Sequence, residues 1–127
     1  MSTVNYFKPL TIYIFCLLFA ACSNEGKVSE IFFETVPEVI PVNNYFSLII
    51  QLGSEKYKHV KPSDIHVEAI MPSHGHGMNV EPIIIATDEP GRYLAKGLLF
   101  HMRGDWEVIV HVNLGKTSDR ITFSSTI

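Results

Sequence analysis

From Glu30 onward, apolar and polar side chains alternate, and proline and glycine interrupt the alternation at short intervals. A period of two places successive side chains on opposite faces of an extended strand, so each run buries one face and shows the other to water. Candidate strands run from Ile31 to Thr35, Tyr45 to Leu52, Ile65 to Met71, Val80 to Thr87, Arg92 to Met102, Trp106 to Leu114 and Ile121 to Ser125. Pro82, near the start of the fourth run, suits an edge or a strand entry. Asp88-Glu89-Pro90-Gly91 reads as a turn. No segment carries a long helical period. About seven strands with turn signals every ~8–12 residues predict an all-β fold, a sandwich of two antiparallel sheets. Ile65, Val67, Ala69 and Met71 share one face of their strand. Trp106, Val108, Val110 and Val112 are expected inward on theirs, which makes Trp106 a core anchor.

The N-terminal residues follow a different pattern. Lys8 is the single charged side chain ahead of an apolar run from Leu10 to Ala21. That run is shorter than the ~20 residues a membrane-spanning helix needs. It closes with Leu18-Phe19-Ala20-Ala21-Cys22, which resembles the lipobox of a bacterial lipoprotein signal. The resemblance implies cleavage before Cys22, lipid on its thiol and an acylated amino terminus. Residues 1–21 are then a signal peptide, 22–29 a polar tether and 30–127 the domain. The expected location is the cell envelope, lipid-anchored and facing the periplasm or the exterior. Ser23 stands where an aspartate would direct retention at an inner membrane.

This reading settles the cysteines. Cys16 leaves with the signal and Cys22 carries lipid, so the mature chain has neither a free thiol nor a disulfide. Its 106 residues, Cys22 to Ile127, suffice to bury a core without staples. Any metal site in it must be built from His, Met, Asp or Glu. Losing Lys8 leaves nine basic against 13 acidic side chains, a net charge of −4. No basic patch suits nucleic acid.

Chemistry is concentrated in one octet, Met71-Pro72-Ser73-His74-Gly75-His76-Gly77-Met78. Imidazole and thioether are good copper ligands, and thioether favours Cu(I). On an extended backbone, two histidines separated by one residue point to opposite sides. They converge only if the chain turns, which Gly75 and Gly77 permit. Because Met71 ends one strand and Val80 begins another, the octet belongs at one end of the sandwich, where loops carry function. His101 and Met102 end the Arg92 strand and are expected at an end of the sandwich too. Strict alternation keeps the two from reaching one site together unless a bulge intervenes. His111 falls on outward parity, and His59 and His66 read as surface residues. The octet also admits a metal-free reading: a rigid turn with its imidazoles bonded to backbone carbonyls and Met71 in the core.

The octet resembles the Met-Pro-x-His-x-His-Gly-Met hallmark of YtkA-like domains, which are related to FixH-like proteins. Gly91-Arg92-Tyr93, Gly97-Leu98-Leu99-Phe100-His101-Met102 and Gly104-Asp105-Trp106-Glu107-Val108 are similar to the same family, and the likeness extends from about Val39 to Ile121. The resemblance implies an immunoglobulin-like sandwich at the outer face of a bacterial membrane, with links to copper supply and to haem-copper oxidase assembly. Carried onto this chain, it makes His74, His76 and Met78 metal ligands, with Met71 and Met102 as further candidates. The lipoprotein-like signal departs from the retained membrane helix of FixH proteins.

Two function classes follow. The first is a copper-binding envelope lipoprotein that delivers or sequesters copper, with a copper-acceptor protein such as an oxidase or an efflux component as partner. The second is a metal-free protein-binding or scaffolding module of the envelope. An enzyme is not expected. The mature chain lacks a cysteine nucleophile, no third group is evident to orient His74 beside Ser73, and a zinc site of His74, His76 and an acid such as Glu81 is the weakest option.

Overall fold

Hydrogen bonding between the alternating segments produces eight strands in the computed structural model, which describes residues 31–127. The expected signal, the lipidation site Cys22 and the tether 22–29 lie outside the described residues. In chain order the strands are β1 (Ile31–Val36), β2 (Tyr45–Leu52), β3 (Ile65–Met71), β4 (His76–Gly77), β5 (Ile83–Ala86), β6 (Arg92–Leu99), β7 (Asp105–Asn113) and β8 (Ser118–Thr126). Two short 3₁₀ turns, Glu55–Tyr57 and Pro62–Asp64, lie between β2 and β3. Among the described residues there is no α-helix, and no helix is long and apolar enough to cross a membrane.

The strands form two four-stranded antiparallel sheets, ordered β1-β2-β6-β5 and β4-β3-β7-β8. The fold class is therefore the expected all-β sandwich, with eight strands instead of about seven. The additional strand is β4, only two residues long, cut from the octet itself. The Val80–Thr87 run shortens to Ile83–Ala86, entered past a buried Pro82. The last strand lengthens to Ser118–Thr126.

Alternation places the core as expected. Ile65, Val67, Ala69 and Met71 of β3 are buried, and so are Trp106, Val108, Val110 and Val112 of β7. Phe46, Leu48, Ile50 and Leu52 of β2 face them from the other sheet. Phe33 of β1 stacks on Phe123 of β8 at 4.9 Å and closes one flank between the sheets. The outer face of the first sheet keeps Val36, Tyr45, Ile83 and Ile85 exposed around a shallow hollow of about 560 Å³.

One irregularity fixes where β6 delivers its end. Phe46 pairs with Leu98 and Ser47 with Lys96, so Gly97 has no partner and forms a bulge with φ +96°. Before it, Tyr93 and Ala95 point inward; after it, Leu98 and Phe100 do. Strand pairing stops at Leu99, three residues short of the expected Met102.

The registers also define two ends of the sandwich. Ile31 lies opposite Leu52, and Gln51 opposite Arg92. Tyr45 lies opposite Leu99 at the far end of β2, about 25 Å away for eight extended residues. The octet shares this second end, because β3 finishes there in its pairing with β4.

Candidate metal centre

Met71 is the last residue of β3, and its carbonyl accepts hydrogen bonds from the backbone N–H of both His74 and Gly75, each at 3.0 Å. Gly75 has φ +67°, a conformation that costs glycine little and L side chains more. The chain reverses there and returns as β4, with Met71 opposite His76 and Ile70 opposite Gly77. The octet is thus a β-hairpin with Pro72-Ser73-His74-Gly75 as its loop, extended when Met78 N–H donates to the Ala69 carbonyl at 2.9 Å.

Opposed residues on antiparallel strands share a face. His76 therefore leans to the side that Met71 occupies, toward the other sheet. There it meets His101, with ring centroids 5.2 Å apart. On its other side His76 meets His74, at 5.7 Å. The three imidazoles form a row, with His74 and His76 exposed and His101 half-buried. The row rests on aromatic packing. The edge of His101 meets Trp106 in a T-shaped contact at 5.4 Å, and Phe100 stacks on the same indole at 4.3 Å, tilted by only 2°. Trp106 Nε1–H donates to the Met102 carbonyl at 3.1 Å and holds the chain after His101 against the core.

The thioethers are placed differently. Met71 is completely buried among core residues, as its strand parity dictates, so its sulfur has no solvent-facing surface. It serves the hairpin through its carbonyl. Met78 and Met102 are half-buried and pack against the core. The structure thus brings together His74, His76 and His101. The sequence placed His101 and Met102 at a strand end, and alternation alone did not choose between them. The missing information was the bulge at Gly97 and the early end of β6, which release residues 101 and 102 from strict alternation. The available signal was the neighbouring Gly104-Asp105-Trp106, which marks a turn back over an anchored indole.

Among the described residues, no hydrogen bond or ion pair engages any of the three rings. The other imidazole pair differs: His66 and His111 face each other across β3 and β7 at 5.9 Å, but Glu68 lies 2.9 Å from His111 Nε2 and Glu81 lies 3.8 Å from His66 Nδ1. An ion held at about 2.0 Å by a nitrogen from each of two imidazoles lies about 3.2 Å from each ring centroid. At bond angles of about 110–130° the two centroids are then about 5.2–5.7 Å apart, the order of both separations in the row. Both centroid separations are therefore of the size that two imidazoles sharing one cation require. Among the described residues, no three His, Cys, Asp or Glu side chains are gathered as a ready-made metal cage.

A family model described as YtkA-like matches residues 24–111, well over half of the chain and including both the octet and Trp106. No curated protein and no solved structure matches the chain.

Proposed function

Since the chain belongs to the YtkA-like family, we propose that it is an envelope lipoprotein that binds copper at the hairpin end of its sandwich and delivers or sequesters it. The observation that carries this reading is the row of three imidazoles without hydrogen-bond partners among the described residues, spaced at 5.7 and 5.2 Å at the hairpin end of the sandwich. Histidines recruited only to rigidify a turn would hold backbone carbonyls of that turn, and among the described residues these hold none. In this reading His74 and His76 supply nitrogen donors from the hairpin, and Met78, two residues on from His76, is the soft donor. An open site with few ligands suits transfer, because an acceptor's donors can enter before the hairpin's leave. The lipid on Cys22 keeps the carrier at the membrane, and the acceptor is an envelope protein that takes copper by ligand exchange.

The test is copper uptake by the purified protein, with Cu(II) and, under reducing conditions, Cu(I). Near-stoichiometric binding is expected, and His74→Ala with His76→Ala should abolish it. Copper bound only by the native state at 100 times its Kd adds about 2.7 kcal/mol of stability. For a domain of this size that is a rise in Tm of roughly 10 °C or more. Wild-type affinity in the double variant would remove the hairpin from the site. Absence of any melting shift at saturating copper favours the metal-free binding module instead. That second reading draws on the apolar surface of Val36, Tyr45, Ile83 and Ile85, which is unusual on a water-facing sheet.

A further inference from the structure

Resting on the copper reading above, we propose that His101 is the inner ligand of the site. His76 then serves two overlapping pairs: an inner one with His101 that retains the ion, and an outer one with His74 that exchanges it. The two pairs differ in how much of their geometry is fixed before any ion arrives. His101 is half-buried, its ring lies edge-on to Trp106 at 5.4 Å, and the residues on both sides of it are tied down. Phe100 is stacked on the indole, and its carbonyl accepts from Asn43 N–H at 2.7 Å. The Met102 carbonyl accepts from the indole N–H. His74, in contrast, stands exposed on the loop of a four-residue hairpin turn, held by one backbone hydrogen bond to Met71.

Ordering a free side chain on binding costs affinity, and a side chain already held in place avoids most of that cost. The inner pair is also the closer, at 5.2 Å against 5.7 Å. An ion moving outward exchanges the His101 nitrogen for the His74 nitrogen while His76 stays bound. One donor leaves as another enters, and neither an electron nor a proton need move.

The arrangement has its own reporter. Trp106 is the chain's single tryptophan and touches His101, whereas no ring contact joins it to His74. Cu(II) held by the inner pair quenches indole fluorescence strongly at such short range. The experiment titrates the purified full-length protein in detergent with CuCl₂, following Trp106 emission and the nitrogen hyperfine structure of the Cu(II) EPR signal. Wild type should lose most of its emission within the first equivalent, with at least two nitrogens on the ion. His101→Asn should weaken that first binding at least tenfold and remove most of the quenching. His74→Asn should weaken the first binding much less than His101→Asn does and keep the quenching, but slow release to a chelating acceptor. His101→Gln, with an unchanged melting temperature, guards against a folding defect. If His101→Asn and His101→Gln both bind and quench like wild type while His76→Asn does not bind, the inner ligand is wrong and the copper reading survives. If wild type binds neither Cu(II) nor, under reducing conditions, Cu(I), both fall.

Discussion

Met71 shows how one residue can belong to a ligand-rich motif and still do a different job. Its thioether is completely buried, and its carbonyl receives two N–H groups from the turn that follows. Its side chain closes the end of the core beneath the imidazole row, and its backbone shapes the hairpin. Met71→Ala should therefore cost about 2–5 kcal/mol, the range for emptying a buried long side chain. Met71→Leu, which keeps the volume, should cost less than about 1.5 kcal/mol. Urea denaturation measures both, and a copper titration of Met71→Leu should match wild type. Loss of binding in that conservative variant would return the sulfur to the ligand set. The same residue shows what single-residue reading achieves: inward parity, visible in Ile65, Val67, Ala69 and Met71, offered the core as an alternative to a ligand role, and the buried side chain follows the parity.

The elements were legible in proportion to how long their alternation runs undisturbed. The β2 and β3 strands have the bounds read from the sequence, since each sustains its period for seven or eight residues. The two-residue β4 is too short to have a period at all. In β6 the period changes phase at Gly97, and apolar Leu98 and Leu99 on both parities hide the change. That bulge is what carries Phe100 onto the indole and His101 toward His76. Its removal gives an element-scale test. Gly97→Ala meets no atom within 4 Å, so it should cost only the strain of a positive φ, about 1–2 kcal/mol. Deleting Gly97 removes the extra residue, so that inward Leu98 follows outward Lys96 directly and Leu98 and Phe100 keep their inward faces in unbroken alternation. Because no core side chain is turned out, the deletion should cost only a minor part of a total stability of about 5–15 kcal/mol, through the local twist and bend that the bulge supplied. A cooperative near-UV circular dichroism melt is expected for the substitution. For the deletion, the melt should stay cooperative and shift only modestly, and a lost transition would show that the bend at the bulge itself holds Phe100 on the indole.

At the scale of the molecule, chemistry and mechanical security occupy opposite ends. The imidazole row sits where β3 and β6 finish. The end where β1 begins is clamped by Tyr57, Lys56 and Asp119. Tyr57 O–H donates to Asp119 Oδ2 at 2.7 Å, and Lys56 Nζ lies 3.0 Å from the same oxygen. The clamp ties the connection after β2, in one sheet, to β8 in the other. The Tyr57 hydrogen bond, and then Lys56, hold the Asp119 carboxyl below its usual range. Burial, and then the bond to Asp119, raise the Tyr57 phenol above its own. A depressed carboxylate stabilises the fold fully above its unfolded pKa of ~4 and loses that contribution as pH falls through the folded value. A raised phenol contributes fully below its unfolded pKa of ~10 and loses its share as pH rises through the folded value. The clamp therefore supports the sandwich across the neutral range and weakens at both extremes. Asp119→Asn should lower Tm at pH 7 and flatten the acid side of the Tm–pH profile. Tyr57→Phe should flatten the alkaline side as well, because it also removes the titrating phenol. Neither should change Cu(II) affinity, since both act at the end of the sandwich remote from His76. A copper affinity that fell with Asp119→Asn would mean that the two ends are coupled through the sheets, and the division of labour would have to be abandoned.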